Sequence, residues 1–506
     1  MLVHQLLEAS ARRSPDSTFL IAAGEAHTFA AIDAGSSRIA TGLQSGGIRK
    51  GERIALVMPN SVELVESLFG VLKAGGVFVT LSPDTNADRL AYVLADCKVS
   101  AVIASSALRP IVEPAVRWAP SVALTVWDGQ AAADRDVTLQ DFLASPAAGF
   151  DPPGGIDVDL AGIIYTSGST GIPKGVMLTH QNLCASAWSI ATYLENTADD
   201  VVACILPMSY GYGLQQVLVG ALVGYAVLIE HSFAFPLDVM ARISRHGVTG
   251  LPGVPSLFST ILQIPQIADL DLSSIRYLTN AAAELPVAHI PRLQAVFDRA
   301  RIFCMYGLTE CTRAAYLDPA RLADKPGSVG KAIPNIEAYV VTSEGRRAAP
   351  GEVGELVVRG SSVMLGYWGK PRETAAVLRP GDIPEDRLLH TGDQFKTDAD
   401  WFLYFVGRTD DVFKTRGEKV APKEIEGVIY EMESVAEVVV IGVPHEIDGH
   451  AVKAIVVPRP GAALDERAVR LHCRARLPSH LVPRFVELRT ALPRTESGKI
   501  RKTGLV

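Results

Sequence analysis

Short apolar runs alternate with helical patterns along this chain, and the alternation restricts the folds that it can adopt. The runs of strand length are residues 53–58, 77–81, 101–104, 201–206, 226–229 and 301–305. Asn60 and Ser61 are residues of the kind that cap helices, Gly75–Gly76 is typical of a helix end, and residues 88–97 have a helical pattern. A strand–helix–strand–helix order predicts parallel strands covered by helices, and therefore an α/β fold.

The pattern changes past about residue 340. Residues 355–359 and 401–406 are typical of antiparallel strands separated by charged turns. The last hundred residues or so are rich in Lys, Arg and Glu but keep strand-like runs at 435–443 and 452–457 and a helical pattern at 465–476. We predict a small α+β domain there, with residues 1–407 as the N-terminal domain, 408–411 as a hinge and 412–506 as the C-terminal domain.

Two further stretches differ from this pattern in composition. Residues 112–155 are rich in Ala, Pro and Asp, which predicts mostly irregular connections. Residues 217–229 form the longest apolar run, shorter than the ~20 residues that cross a bilayer. We expect this run to be one buried core element, so no membrane association is predicted.

Composition excludes several classes of protein. The 506-residue chain has a formal net charge of −7, which argues against a general nucleic-acid-binding role. Its six cysteines include no CxxC pair, so neither a disulfide framework nor structural zinc is expected. The N-terminal residues 1–16 have the pattern of a short amphipathic helix and not of a signal peptide. We therefore expect a cytoplasmic protein with reduced thiols.

Residues 165–175 read YTSGSTGIPKG and follow a strand-like lead-in. The glycines let backbone N–H groups approach an anion, while the hydroxyls and Lys174 add donors and charge. The segment is not a Walker A loop, because Pro173 precedes the lysine and Gly175 follows it. A flexible linker is the alternative, but the flanking apolar runs favour a phosphate-binding loop.

Several segments in the same order resemble the motifs of the adenylate-forming superfamily, which includes acyl- and aryl-CoA ligases, peptide-synthetase adenylation domains and luciferases. They are YTSGSTGIPKG at 165–175, YGLTE at 306–310, HTGD at 390–393, GRTDD at 407–411, KTRG at 414–417 and PRTESGK at 493–499. The resemblance spans nearly the whole chain. It implies a large N-terminal domain of layered, mostly parallel sheets with helices plus a distorted β-barrel subdomain, followed by a small mobile α+β domain.

The resemblance also implies an activity: ATP-dependent conversion of a carboxylate to an acyl-AMP, then transfer of the acyl group to a thiol. The implied cofactors are ATP, Mg²⁺ and CoA, or the phosphopantetheine of a carrier protein. The implied nucleotide-binding residues are Thr166, Ser167, Gly168, Ser169, Thr170 and Lys174 at the β/γ-phosphates, Thr309 at the α-phosphate, Tyr306 and Gly307 at the base, and Asp393 and Arg408 at the ribose. Glu310 is implied to bind Mg²⁺ through oxygen. Core packing is the alternative for Tyr306.

The resemblance implies that the small domain rotates between two poses and presents different residues to the active site in each. Lys499 would stabilise the charge that develops during adenylation, and Lys414 lies at the corresponding place on the opposite face of the small domain. Asp410 is implied to be the hinge between the two poses. Gly417 would line the pantetheine tunnel, where a residue without Cβ lets a thin arm pass.

The acyl pocket is implied to lie between two segments. Its residues are Tyr210, Tyr212, Asn280, Ala281, Ala282, Ala283 and Gly307. The absence of an acidic residue near Tyr210 disfavours an α-amino acid, and the tyrosines with small residues favour a small aromatic acid of benzoate or anthranilate type. Alternatives are a ligase that loads a carrier protein, a fatty acyl-CoA or acyl-AMP ligase, and a non-catalytic nucleotide-binding or scaffold protein. Oligomeric state is not predicted.

Overall fold

A computed structural model gives the structure of this chain. It describes residues 1–129, 137–144, 153–167, 173–383, 386–408, 413–415, 418–445, 449–494, 500–502 and 504–505. Of Ser167 and Lys414, only the backbone positions in strands are described. The predicted site residues Gly168, Ser169, Thr170, Asp410, Gly417 and Lys499 lie outside the described residues.

The α-helices of the described part are α1 (His4–Arg13), α2 (Phe29–Ser45), α3 (Val62–Lys73), α4 (Ala87–Asp96), α5 (Arg109–Arg117), α6 (Leu139–Leu143), α7 (His180–Leu194), α8 (Gly211–Val223), α9 (Pro236–Arg245), α10 (Pro255–Ile261), α11 (Ile290–Val296), α12 (Pro371–Val377), α13 (Pro422–Tyr430) and α14 (Glu466–Arg474). No helix among these residues is both long and apolar enough to span a bilayer.

The strands up to the start of the last antiparallel region are β1 (Thr18–Ala22), β2 (Glu25–Thr28), β3 (Arg53–Val57), β4 (Val77–Leu81), β5 (Ala101–Ala104), β6 (Leu124–Trp127), β7 (Val137–Thr138), β8 (Leu160–Ser167), β9 (Pro173–Thr179), β10 (Val201–Cys204), β11 (Ala226–Ile229), β12 (Gly250–Gly253), β13 (Tyr277–Asn280) and β14 (Arg301–Tyr306). The strands after them are β15 (Ala315–Tyr316), β16 (Ser328–Ala332), β17 (Ile336–Val341), β18 (Gly354–Gly360), β19 (Gly366–Tyr367), β20 (Leu378–Pro380), β21 (Arg387–Thr397), β22 (Leu403–Arg408), β23 (Phe413–Thr415), β24 (Glu418–Val420), β25 (Val435–His445), β26 (Gly449–Pro458) and β27 (Phe485–Leu488).

Two large sheets form the N-terminal part. The eight-stranded sheet has the order β19-β9-β8-β4-β3-β5-β6-β7, parallel from β8 to β7 and antiparallel from β8 through β9 to β19. Ser61 caps α3 by accepting from the Leu64 N–H, as the sequence predicted, and Gly75 ends it at φ +76°. One buried cluster joins helices α2, α3 and α8 to both sheets through side chains such as Phe29, Phe69 and Leu214.

The second sheet has 14 strands and changes character halfway. Strands β1, β11, β10, β12, β13 and β14 are parallel, whereas β15, β16, β22, β21, β18 and β17 continue the sheet antiparallel. The carboxyl ends of β10, β12, β13 and β14 therefore meet at one edge, where open α/β sheets bind their ligands. The α/β fold class and its large and small sheet regions are confirmed.

A separate five-stranded sheet, β24-β23-β26-β25 with β27 on β26, follows the last strand of the large sheet. Helices α13 and α14 cover one of its faces around Ile425, Ile429 and Val469. The domain and hinge boundaries predicted above stay predictions.

Two sequence expectations about local structure are wrong. Residues 112–155 contain most of α5, as well as β6, β7 and α6, in their described part. Pro110 in the first turn and Pro114 within α5 obscured its helical pattern. The apolar run 217–229 is not one element, because Gly224 at φ +101° ends α8 and the chain returns as β11.

A buried carboxyl group between α2 and α3 makes stability depend on pH. Glu66 packs so closely on Gly35 that a Cβ there would lie 2.0 Å from the Glu66 Oε1. Burial, and then the neighbouring Glu63, raises the pKa of Glu66 to about 7. Since the folded-state pKa is above the unfolded one, the group favours the folded state below about pH 4.5, and this contribution is lost as the pH rises through about 7.

We therefore expect Glu66→Gln to stabilise the protein at about pH 8, by on the order of 2–3 kcal/mol, and much less at about pH 5. Thermal unfolding at both values measures this difference. Glu63→Gln, at an exposed neighbouring position, is the matched control and should shift the midpoint less at both values. Equal shifts for Glu66→Gln at both pH values would contradict the expectation.

Candidate active site

One large cavity lies at the carboxyl ends of the parallel strands of the 14-stranded sheet. Its volume is about 1770 Å³, more than the ~300–1,000 Å³ of a pocket for one small molecule. The segments after β10, β13 and β14 line it, together with the phosphate-loop hairpin and parts of the small domain. The cavity is therefore large enough to hold a nucleotide and a second substrate at the same time.

The described ends of the YTSGSTGIPKG motif lie on the paired strands β8 and β9. Thr166 pairs with Lys174 in this hairpin, and both residues line the cavity. The Lys174 ammonium lies 5.3 Å from the ring centre of Tyr367. The two strands thus hold the described ends of the motif at the cavity edge.

Glu310 and Thr309 follow β14 directly and face the same cavity. The Tyr367 hydroxyl donates to Glu310 Oε1 at 2.8 Å, and the Met364 N–H donates to the Glu310 carbonyl. Tyr367 therefore contacts both Lys174 and Glu310, and its hydroxyl orients the carboxylate. Sequence reasoning missed Tyr367, because it is 57 residues from Glu310 and lies in no motif.

Tyr306, Asp393 and Arg408 form one contact group. The Tyr306 hydroxyl donates to Asp393 Oδ2 at 2.5 Å, and the Arg408 Nε lies 3.3 Å from Asp393 Oδ1. Burial and the adjacent carboxylate raise the pKa of Tyr306 well above its usual value, so it stays a neutral donor. Asp393 and Arg408 pair across β21 and β22, which explains why two separate motifs meet.

A glutamate holds the HTGD turn from behind. The Glu355 carboxylate accepts from the Gly392 N–H at 2.9 Å and lies 2.8 Å from His390 Nδ1. Gly392 has φ +71°, a conformation that glycine adopts without the strain of a side chain. These contacts fix the backbone that carries Asp393.

The predicted acyl-pocket residues all line the cavity, and several are held by hydrogen bonds. Tyr212 is half-buried; loss of water around the hydroxyl raises its pKa to about 12, and the hydroxyl donates to the Thr279 carbonyl at 2.9 Å. Asn280 Nδ2 donates to the Ala283 carbonyl at 2.9 Å. Between them Ala282 has φ +69°, which favours glycine over alanine. Tyr210 lies at the N-cap of α8, and Ala281 is buried beside Ala282.

Gly307 sits where no side chain fits. An added Cβ would lie 2.5 Å from the Thr312 carbonyl oxygen and 2.9 Å from the Arg313 Cα. The Arg313 side chain that follows is 3% exposed and lies with its guanidinium carbon 4.8 Å from the Tyr212 ring centre. Arg313 is a cavity residue that sequence reasoning missed. A cation followed directly by the apolar run 314–317 was the available signal.

The small domain closes one side of the cavity. Arg494, Ile500, Arg501 and Lys502, which flank the undescribed Lys499, line it. The described side chains of β23, the strand that contains Lys414, do not line this cavity. One of them, Thr415, lines a second, smaller cavity on the small domain. Burial raises the pKa of Glu284 in the cavity wall to about 6, and Lys423 of α13 counteracts this rise.

Metal-ligand residues are sparse at the site. Within the described ranges, no three His, Cys, Asp or Glu side chains cluster in a way that would enclose a metal ion. Glu310 instead offers one carboxylate facing the cavity. At nucleotide sites Mg²⁺ is bound by one or two carboxylates, and phosphates and water complete its coordination. A single carboxylate from Glu310 therefore fits Mg²⁺ bound together with a nucleotide.

Comparisons with known proteins match the whole length of the chain. A family model described as AMP-binding enzyme matches residues 7–368, and one described as AMP-binding enzyme C-terminal domain matches residues 424–499. A long-chain-fatty-acid–CoA ligase of Bacillus subtilis (strain 168) is 32% identical and covers 100% of this chain and 94% of its own. A feruloyl-CoA synthase of Amycolatopsis sp is 34% identical, covering 97% and 96%. The crystal structure of a benzoate CoA ligase from Burkholderia xenovorans LB400 superposes with a TM-score of 0.89 at 25% identity, covering 100% and 99%.

Proposed function

Because the chain belongs to the AMP-binding enzyme family and is an AMP-forming acyl- or aryl-CoA ligase, we propose that its acid substrate is a small aromatic carboxylic acid of benzoate or anthranilate type. The resemblance predicted from the ordered motifs is confirmed, and so is the activity class. ATP and CoA are its substrates. The identity of the acid, the bound Mg²⁺ and the individual residue roles are the proposal.

The observation that carries the proposal is the hydrogen-bonded Tyr212 ring in a cavity that small residues also line. The Tyr212 hydroxyl is tied to Thr279, and the small residues Gly307 and Ala281–Ala283 line the same space. A flat ring fills such a space at little conformational cost, and ring contact with a tyrosine adds ~0.5–1.5 kcal/mol beyond the buried area. The feruloyl-CoA and benzoate CoA ligase relatives act on aromatic acids, which supports the same class.

We assign the nucleotide roles to described residues that face the cavity and to the loop between Thr166 and Lys174, most of which lies outside the described residues. Thr166, Lys174 and the loop between them would hold the β/γ-phosphates, and Thr309 the α-phosphate. Asp393 and Arg408 would bind the ribose once Tyr306 releases Asp393 and stacks on the base. Glu310, oriented by Tyr367, would hold Mg²⁺, which supplies positive charge against the phosphates.

The two chemical steps are those of the ligase family. A carboxylate oxygen of the acid attacks the α-phosphorus of ATP, and the bond to the bridging oxygen of the β-phosphate breaks, which releases pyrophosphate. The CoA sulfur then attacks the acyl carbon, the bond to the AMP oxygen breaks, and AMP leaves. Lys499 would stabilise the charge of the first transition state.

The small domain would present different faces in the two steps. Residues flanking Lys499 line the cavity, whereas the described side chains of β23, Phe413 and Thr415, do not, which supports an arrangement suited to adenylation. Rotation about Asp410 would then bring Lys414 and Gly417 to the site for thioester formation. A carrier-protein phosphopantetheine is the second acceptor to test, because it presents the same thiol arm as CoA.

ATP–pyrophosphate exchange over a panel of acids tests the proposed substrate. We expect exchange with benzoate-type acids well above the rate with no acid, and little with long-chain fatty acids or amino acids. Product masses with CoA and with a phosphopantetheinylated carrier protein then identify the acceptor. Exchange that is strongest with fatty acids, with aromatic acids at background, would reject the proposal.

Enlarging the pocket wall gives a sharper prediction about the same site. We expect Ala282→Leu to lower kcat/KM for an aromatic acid by on the order of 10-fold or more, because overpacking a fitted site typically costs ~1–3 kcal/mol. A two- or three-carbon aliphatic acid should lose much less. Ala282→Gly, which suits the left-handed backbone, is the control and should retain aromatic activity. Equal losses for both kinds of acid in Ala282→Leu would mean that Ala282 does not bound the aromatic ring.

A further inference from the structure

Arg313 is a buried cation without a carboxylate partner. It is 3% exposed, and within the described part of the chain its side chain forms no hydrogen bond or ion pair; its Nε is fully buried. Glu310, three residues earlier, faces the same cavity but forms no ion pair with it. Burial of an ionised group without a counter-charge is strongly unfavourable.

Carboxylates neutralise the buried Lys73 and two half-buried arginines. Lys73, also 3% exposed, lies 2.6 Å from Asp33 Oδ1. The half-buried Arg276 lies 2.7 Å from the buried Asp200, and the half-buried Arg242 lies 2.6 Å from the buried Glu230. The unpaired state of Arg313 is therefore not the rule for cations in this fold, and the cavity that it lines can supply the missing anion.

The backbone holds Arg313 in place at some cost. Thr312 has φ +59°, a conformation that non-glycine residues rarely adopt, and the Arg313 N–H donates to the Cys311 carbonyl at 2.6 Å in a tight turn. Gly307 permits this turn to pack against it. Backbone strain of this kind persists where the surrounding structure enforces it and is concentrated at functional sites.

The guanidinium lies on the acyl side of the cavity. Its carbon is 4.8 Å from the ring centre of Tyr212, whose ring the proposed function places against the substrate. The contact with the ring face stabilises the cation only in part, and the ring offers no oxygen to the guanidinium donors. A planar guanidinium matches the two oxygens of a carboxylate.

We propose that Arg313 binds a second carboxylate of the substrate, at the end away from the carboxylate that becomes the adenylate. The substrate class is then an aromatic dicarboxylic acid. This inference rests on the proposed function for the placement of the acid along Tyr212. It also restricts that function, since a plain alkyl chain would leave Arg313 buried and uncompensated.

Matched pairs of acids test the proposal by ATP–pyrophosphate exchange. The two aromatic pairs set benzoate against benzene-1,3-dicarboxylate and against benzene-1,4-dicarboxylate, and the aliphatic pair is pentanoate against glutarate. We expect the unmodified enzyme to favour a dicarboxylate over its partner on the order of 10²-fold in kcat/KM, because a site built for a polar group rejects the analogue that lacks it. Arg313→Met should remove this preference, mainly by loss of dicarboxylate activity, and Arg313→Lys should keep part of it.

Arg379→Met is the matched control, because Arg379 is an exposed cation that lines the same cavity. It should leave the preference unchanged. A wild-type enzyme without dicarboxylate preference overturns the proposal whether or not the Arg313 variants fold, and so does an Arg313→Met enzyme that loses activity equally with both members of a pair. Preference confined to glutarate and dependent on Arg313 would reject the aromatic substrate but keep the role of Arg313. Activity with aromatic acids that does not depend on Arg313 would reject the role of Arg313 but keep the aromatic substrate.

Discussion

Lys499→Ala is expected to lower the rate of adenylate formation by on the order of 10²–10³, because it removes a cation from a transition state in which negative charge develops. Thioester formation from supplied aryl-AMP and CoA should be largely retained, since the other face of the small domain serves that step. Pyrophosphate exchange measures the first half-reaction, and thioester release from synthetic aryl-AMP measures the second.

Lys502→Ala is the matched control for this experiment. Lys502 lines the same cavity and lies three residues from Lys499, but it is outside the PRTESGK motif. We expect it to change both half-reactions by much less. If Lys499→Ala slows both half-reactions to the same extent, the lysine is not specific to adenylation and the two-pose account is wrong.

Glu310→Gln should have the second large effect. The amide keeps the size of the side chain and can still accept from the Tyr367 hydroxyl, but it lacks the charge that binds a divalent cation. We expect adenylation to fall by about 10²–10³, the size of one lost electrostatic contact in a transition state. The apparent Mg²⁺ requirement should rise, so exchange rates measured over a Mg²⁺ titration distinguish this role from a structural one.

Tyr367→Phe separates the orientation of Glu310 from its charge. Loss of a group that only orients a metal ligand typically lowers activity about 10–100-fold. We therefore expect a smaller defect than in Glu310→Gln, with a modest change in Mg²⁺ dependence. A Glu310→Gln enzyme with normal rate and unchanged Mg²⁺ dependence would show that Glu310 does not hold the ion.

Local signals were sufficient for much of the fold. The runs at 53–58, 77–81 and 101–104 became β3, β4 and β5, because a buried parallel strand is a short apolar segment bounded by caps and glycines. The prediction of irregular structure for residues 112–155 was wrong, because helix α5 contains a proline and β7 has only two residues. Helix α13 was missed as well; it begins at Pro422 in a charged region where composition hides its apolar face.

The site was predictable wherever ordered motifs carry it. The Tyr306 hydroxyl reaches Asp393, 87 residues away, which motif order alone could not show but which agrees with a shared nucleotide site. Tyr367 and Arg313 were not predictable in the same way. Their roles depend on tertiary contacts with Glu310, Lys174 and Tyr212, and a lone tyrosine or arginine has no signature spacing.

A competition experiment tests the central claim most directly. Equal concentrations of aromatic acids with and without a second carboxylate, short dicarboxylic acids, medium- and long-chain fatty acids and amino acids are incubated with the enzyme, Mg²⁺, CoA and limiting ATP. The thioesters are then quantified by mass. The account predicts that an aromatic acyl-CoA dominates, in proportion to kcat/KM and with AMP and pyrophosphate as the other products. A mixture dominated by long-chain acyl-CoA, with no aromatic thioester above the enzyme-free control, would contradict it.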